Sequence, residues 1–195
     1  DVAVTGVQTC ALPILLELRR PRVLEVRSRL GSISAALRRL YDADPYAMAL
    51  FPSQRLLVEE VYGIPAAGGI DYDHFTVPFP GTFDLIVANH TFTHALRPRD
   101  MLATLHDSLV EGGHLYLINE PDEREYLQQG KSLFNTLNPF HMQAFDTASL
   151  VRALQANGFA VKFVTYRDGS NICLAQKRER ASDWPRISVS SRARR

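Results

Sequence analysis

Residues 22–41 read RVLEVRSRLGSISAALRRLY. The apolar run around Val23, Leu24 and Val26, closed by Glu25-Val26, predicts a buried strand. Residues 27–31 make a tight connection, and Ile33, Leu37 and Leu40 then recur at helical spacing. Strand, turn and helix in that order form the first unit of an open α/β sheet, whose turn faces a ligand. Here that turn carries Arg27 and Arg29 where small residues are expected.

Working outward, residues 15–20 (LLELRR) read as the end of a helix stopped by Pro21. Ser32 is the expected N-cap of the helix over 32–41. Residues 45–50 (PYAMAL) predict a second strand. Ser53 is expected to cap a helix through 62, apolar at Leu56, Leu57 and Val61 and ended by Gly63. A short strand is expected over 69–72, then a loop (DHFTVPF, 73–79), a Pro80-Gly81 turn and a buried strand over 83–89 (FDLIVAN). Pro98 opens a helix at its favoured first position, with Met101, Leu102, Leu105 and Leu109 at helical spacing and Gly112-Gly113 as its stop. A strand over 114–119 (HLYLIN) precedes a polar insert at 120–139, read either as a lid or as a surface loop. Asp146 caps a helix over 147–156. Residues 159–166 and 171–176 form a closing hairpin across Asp168-Gly169. The order implies one α/β domain with a largely parallel sheet, helices on both faces and a C-terminal antiparallel hairpin. Its ligand crevice belongs at the strands' carboxyl ends.

A chain of 195 residues suits one domain. Its net charge of +1 is uneven, because residues 177–195 hold seven Lys/Arg against two acids. Residues 178–195 therefore read as a basic, solvated tail; contact with nucleic acid or an anionic membrane is disfavoured against a solubilising role. Two cysteines, Cys10 and Cys173, show no metal or redox spacing. No apolar run approaches a membrane span and no signal peptide is visible, so the expected compartment is cytoplasmic. Residues 1–14 (DVAVTGVQTCALPI) look like translated library adaptor from a metagenomic assembly; a native strand over 2–7 is the alternative. On the adaptor reading the domain spans 15–177 and lacks an upstream segment.

Five segments in order resemble class I S-adenosylmethionine-dependent methyltransferases of the Rossmann-like family. These are VLEV, DHFTVPF, FDLIVANHTFTH, LVEGGHLYL and FHMQAFDTASLVRALQANGF. The resemblance covers residues 22–176. It implies strand order 3-2-1-4-5-7-6, with strand seven antiparallel and the cofactor S-adenosylmethionine across strands one, two and four. It further implies that Glu25 marks the methionine end of the pocket, that Asp73 bonds the adenine amino group and that Asn89 lines the floor. Arg27 and Gly31 fall in the cofactor loop.

The family's acidic-x-Gly-x-Gly-x-Gly pattern is here Glu25-Val26-Arg27-Ser28-Arg29-Leu30-Gly31, with only the last glycine kept. A left-handed arginine costs on the order of 1 kcal/mol, and a guanidinium repels a sulfonium while it can pair with a carboxylate. Ala49 stands where the family carries an acid at the end of strand two. G-x-G-x-x-G is absent, so ordinary dinucleotide binding is disfavoured.

Histidine candidates cluster after strand four. By family position His94, or His90 beside Asn89, lines the active site as a general base; the alternative is a hydrogen-bonded structural histidine. His90 and His94 have the i, i+4 spacing of a metal pair, but no third ligand stands out and no metal site is predicted. Glu120 and Asp122 sit where acceptors are bound, with His141 at the end of the insert. The expected function is methyl transfer to a small-molecule acceptor. The alternatives are a non-catalytic binding module whose arginines fill the site, and an anion site at the first helix's N-terminus. Oligomeric state is left open.

Overall fold

Alternation along the central strands builds a two-faced core. In Leu85-Ile86-Val87-Ala88 and Leu115-Tyr116-Leu117-Ile118, successive side chains enter opposite apolar clusters. A strand buried on both faces must be apolar throughout, as these are. The computed structural model describes residues 17–122, 128, 140–167 and 170–178.

The elements in order are β1 (Arg22–Ser28), α1 (Ser32–Tyr41), β2 (Asp44–Ala49), α2 (Pro52–Tyr62), β3 (Ala66–Gly68) and β4 (Phe83–Asn89). A 3-10 turn (Phe92–His94), α3 (Pro98–Asp107), β5 (Leu109–Pro121), α4 (Thr147–Gln155), β6 (Phe159–Arg167) and β7 (Ser170–Lys177) follow. They form one seven-stranded sheet in the order β3-β2-β1-β4-β5-β7-β6. β1 to β5 run parallel, and β7 is antiparallel to both β5 and β6. This is the expected fold and strand order. Ile33 and Leu37 of α1 pack on one face with Val23, Leu85 and Val87, while α2 adds Val58 against Ala47. On the other face Met101, Leu102 and Leu105 of α3 and Leu150 and Leu154 of α4 cover Leu24, Ile86 and Leu115.

Several boundaries differ from the sequence expectation. Residues 17–20 are turns and bends, not the end of a helix. Gly31 occupies the cap of α1, so Ser32 is its first residue. Phe51 precedes α2, Pro52 takes the first position, and the Gln54 side chain accepts from Phe51 N, leaving Ser53 inside the first turn. β3 lies at 66–68 and not at 69–72, because Ala66 to Gly68 pair with Ala47 to Ala49 and Gly69 at φ 81° turns the chain away. α3 stops at Asp107 and not at the double glycine: the Ser108 carbonyl accepts from Phe83 N at 2.9 Å, and β5 begins at once. Pro98 at the start of α3 and the Asp146 cap of α4, which accepts from Ser149 N at 2.7 Å, stand as expected. Residues 1–14, most of the 120–139 insert, the Asp168-Gly169 turn and the tail from 179 lie outside the described residues. Among the described residues no helix is long and apolar enough to cross a membrane.

Ile86 is fully buried at the centre of the sheet. Ile86→Ala is expected to lower the unfolding free energy by about 2–5 kcal/mol, read from urea denaturation; a loss below about 1 kcal/mol would contradict its place in a packed core.

Candidate functional site

The carboxyl ends of β1, β4 and β5 are adjacent in the sheet, and each ends in a strained residue. Arg27 lies between the paired Val26 and Ser28 at the end of β1 at φ 61°, His90 follows β4 at φ 48°, and Asn119 lies near the end of β5 at φ 57°. Non-glycine residues in this conformation collect at functional sites because the surrounding structure must hold them there. Beside them opens a cavity of about 920 Å³, within the size range of small-molecule sites. Glu25, Arg27, Arg29, Phe51, Gln54, Asn89, His90 and Asn119 are among its lining residues.

Arg27 occupies a bulge: the pairing of β1 with β2 shifts register between Val26 and Ser28. The backbone thus keeps the conformation a glycine would favour, at a cost on the order of 1 kcal/mol. Its guanidinium donates to the His90 carbonyl, bridging the turns after β1 and β4. Arg29 is exposed at the cavity's edge. Gly31, at φ 71°, is not among the lining residues. A Cβ there would lie 3.1 Å from Val58 and 3.2 Å from Tyr62, so the glycine brings α1 close to α2.

Glu25 is buried in the cavity wall, and its Oε2 accepts the backbone N–H and hydroxyl of Ser34 at 3.0 and 2.6 Å. Its carboxylate thereby caps the first turn of α1, the task Ser32 was expected to do. Burial raises the Glu25 carboxyl above its ordinary range, against the bonds from Ser34 and Ser28. Asn89 accepts from the Asn119 side chain at 3.0 Å, and the pair joins β4 to β5 along the cavity. Where β2 ends, the wall is Leu50 and Phe51, with Gln54 as the nearby polar side chain. Asp73 is not among the lining residues; it lies in an exposed cluster 3.4 Å from Arg97 and 3.7 Å from His74.

Glu120 and Asp122 turn inward. Glu120 accepts from the backbone N–H groups of Thr91, Phe92 and Thr93 and holds the segment between the two histidines. Asp122 accepts from the N–H and hydroxyl of Thr147 and holds the start of α4. Sequence position suggested acceptor contacts for both; in the fold Glu120 is engaged by backbone donors and Asp122 by the N–H and hydroxyl of Thr147.

The structure also brings in a third imidazole. His141 Nε2 lies 3.0 Å from His90 Nε2, and the His90, His94 and His141 rings stand 4.9 to 5.1 Å apart. His90 is pushed down to about 3 by burial first, then by Arg27 and its two neighbours. Burial and Arg27 likewise lower His94 to about 4, although its bond to the Phe140 carbonyl pulls the other way. His90 reaches the cavity wall, and His94 stands behind it.

The sequence model of one protein family, described as "Methyltransferase domain", matches residues 10–162, well over half the chain. No protein with a curated description matches the sequence. Solved structures share the fold at low identity. A magnesium protoporphyrin IX methyltransferase from Synechocystis PCC 6803 with bound SAH superimposes with a TM-score of 0.67 at 16% identity, covering 89% of this chain and 82% of that one. The YcgJ protein from Bacillus subtilis gives 0.66 at 15%, over 89% and 99%. A TehB-like SAM-dependent methyltransferase from Corynebacterium glutamicum gives 0.65 at 15%, over 88% and 87%.

Burial pushes the Glu120 carboxyl up to about 7 from an ordinary 4.5, against its three backbone bonds and Arg27. Between those two values the folded chain holds a proton that the unfolded chain has released. Stability from this group is therefore complete below pH 4.5 and is lost as pH rises towards 7, by at most about 1.4 kcal/mol per pH unit. Denaturation midpoints measured from pH 4.5 to 8 should fall through that window in the parent and flatten in Glu120→Gln.

Proposed function

We propose that this chain, which belongs to the methyltransferase domain family, transfers a methyl group from S-adenosylmethionine to a small-molecule acceptor. The observation that carries the reading is the cavity at the carboxyl ends of β1, β4 and β5, where an open α/β sheet holds its ligand.

The residues present fit that cofactor in most respects. The turn at Arg27 keeps a glycine-like backbone despite its side chain, and the cavity is large enough for a nucleoside-sized ligand. Arg29, exposed at the edge, would meet the amino-acid carboxylate, the part of the cofactor a guanidinium favours. Gln54 supplies the polar group near the end of β2, where no acid is available for ribose hydroxyls. Bound there, the cofactor supplies an electrophilic methyl group for in-line displacement.

The protein's own part is alignment, exclusion of water and proton handling. Asn89 and Asn119, bonded to each other, fix the cavity floor between β4 and β5. His90 lines the cavity wall as a neutral imidazole, and that form can take a proton from an acceptor made strongly acidic by methylation. Cys173 is a free, buried thiol pushed up to about 12, which suits the reducing, cytoplasmic setting included in this proposal.

One feature favours the non-catalytic alternative: Arg27 lines the cavity with its guanidinium engaged across the mouth. Calorimetric titration of S-adenosylmethionine and its demethylated product decides between the two. Micromolar binding by the parent is expected. Arg27→Gly with Arg29→Gly should change affinity about tenfold in favour of the sulfonium form over the demethylated product, because two cations leave its surroundings. Binding by the double variant alone would support the non-catalytic reading, and no binding by either would sink the proposal.

A further inference from the structure

We propose that His90, His94 and His141 form a binding site for one divalent transition-metal ion of the zinc class. The proposal stands on side-chain geometry and does not depend on methyl-donor binding.

Three neutral imidazoles with an open fourth position are an established zinc donor set. Here one ring nitrogen from each of the three histidines lies within 4.8 Å of the others, and the His90 and His141 Nε2 atoms are 3.0 Å apart. Nitrogens around a tetrahedral ion with bonds of 2.0–2.1 Å are about 3.3 Å apart. The two closest nitrogens, hydrogen-bonded to each other at 3.0 Å, come near that spacing once the shared proton is released, and the third must draw in.

The proton on His94 can be placed by elimination. Its Nδ1 lies 2.8 Å from the Phe140 carbonyl oxygen, which can only accept, so Nδ1 carries the hydrogen and Nε2 the lone pair. That Nε2 is buried and has no hydrogen-bond partner among the described residues. A buried acceptor left unpaired in a folded protein calls for an explanation, and an ion between the three rings supplies one. A histidine whose second nitrogen donates to a backbone carbonyl is also the usual arrangement of a metal ligand, because the bond fixes both tautomer and ring orientation. Tyr72, whose ring stands 5.6 Å from that of His94, likewise has a buried hydroxyl without a partner among the described residues.

The segment that carries His141 is held in place. Met142 N and Gln143 N both donate to the Thr93 carbonyl, at 2.7 and 3.1 Å, while Phe140 receives the His94 bond. Residues 140–143 are thus tied to Thr93 and His94 of the 3-10 turn, which holds the His141 backbone beside the other two rings. Against the site stands the Arg27 guanidinium. The buried Glu120 carboxyl holds the backbone between His90 and His94. With the ion bound, the three lone pairs belong to it. The imidazoles then orient a ligand at the open position, an oxygen of water or of an acceptor, instead of accepting protons.

The test uses the untagged full-length chain, stripped by a chelator and titrated with zinc(II) or cobalt(II) alone, with no methyl donor present. One ion per chain is expected, and cobalt(II) should give the intense visible bands of a tetrahedral nitrogen-rich site. His94→Ala and His141→Ala should each weaken zinc binding by at least the 10- to 100-fold that loss of an outer partner costs, while His74→Ala leaves it unchanged. Should a variant fail to melt cooperatively, the parent alone still answers: zinc should shift the imidazole NMR signals of His90, His94 and His141 and leave those of His74, His106 and His114 in place. A folded parent that takes up no stoichiometric zinc overturns the site, as does one whose zinc moves the other three histidines. Because the donor is absent throughout, this result and the outcome of the methyl-donor titration are read separately.

Discussion

The crevice depends on one bond across the sheet, from the Arg27 guanidinium to the carbonyl of His90. It joins the turns that leave two adjacent parallel strands and holds two residues in the left-handed region. Neither backbone would adopt that conformation cheaply alone. A charge-assisted bond is stronger than one between neutral groups, so it can offset part of the strain at both turns. From the first turn the chain enters α1, whose start is fixed by the Glu25 carboxylate on Ser34. From the second it enters the 3-10 turn, fixed by the Glu120 carboxylate. Each path out of the sheet is thus anchored by a buried carboxylate on backbone N–H groups.

The fold was legible because its signals are local and redundant. Doubly buried strands read as unbroken apolar runs, helices showed their apolar spacing, and the terminal hairpin followed from its turn residues. What misled were signals whose meaning depends on distant partners. Ser32 and Ser53 are good caps in isolation, but Gly31 and Phe51 hold those positions once α1 and α2 are docked. Gly112-Gly113 reads as a helix stop, but Phe83, on the neighbouring strand, claims the Ser108 carbonyl first. β3 has only three residues, and its pairing with β2 is what makes it a strand.

The site was legible in its strand ends and obscure in its long-range groupings. Spacing shows His90 and His94 as neighbours, while His141 is separated from His90 by 51 positions and meets it only in three dimensions. The Asn89–Asn119 pair is hidden for the same reason, since no local pattern links the ends of two parallel strands. Glu120 could be marked as a functional carboxylate from its place after a strand. Only the structure reveals that three backbone donors already fill it.

The replacement of glycine by arginine in the first turn alters charge more than it alters shape. The backbone retains the conformation that glycine would take. What changes is the field: the guanidinium lowers the proton affinity of His90 and His94, adding to the effect of burial. Arg27 therefore helps keep imidazoles at the crevice mouth neutral at physiological pH, and a neutral imidazole is the form that can offer its lone pair. On the proposed reading, one substitution weakens the welcome for a sulfonium and at the same time keeps the neighbouring histidines in the neutral form that can act as ligands. A loop that looks degenerate when judged by its glycines thus keeps the backbone of a functional turn and gives the adjoining cluster a distinct electrostatic setting.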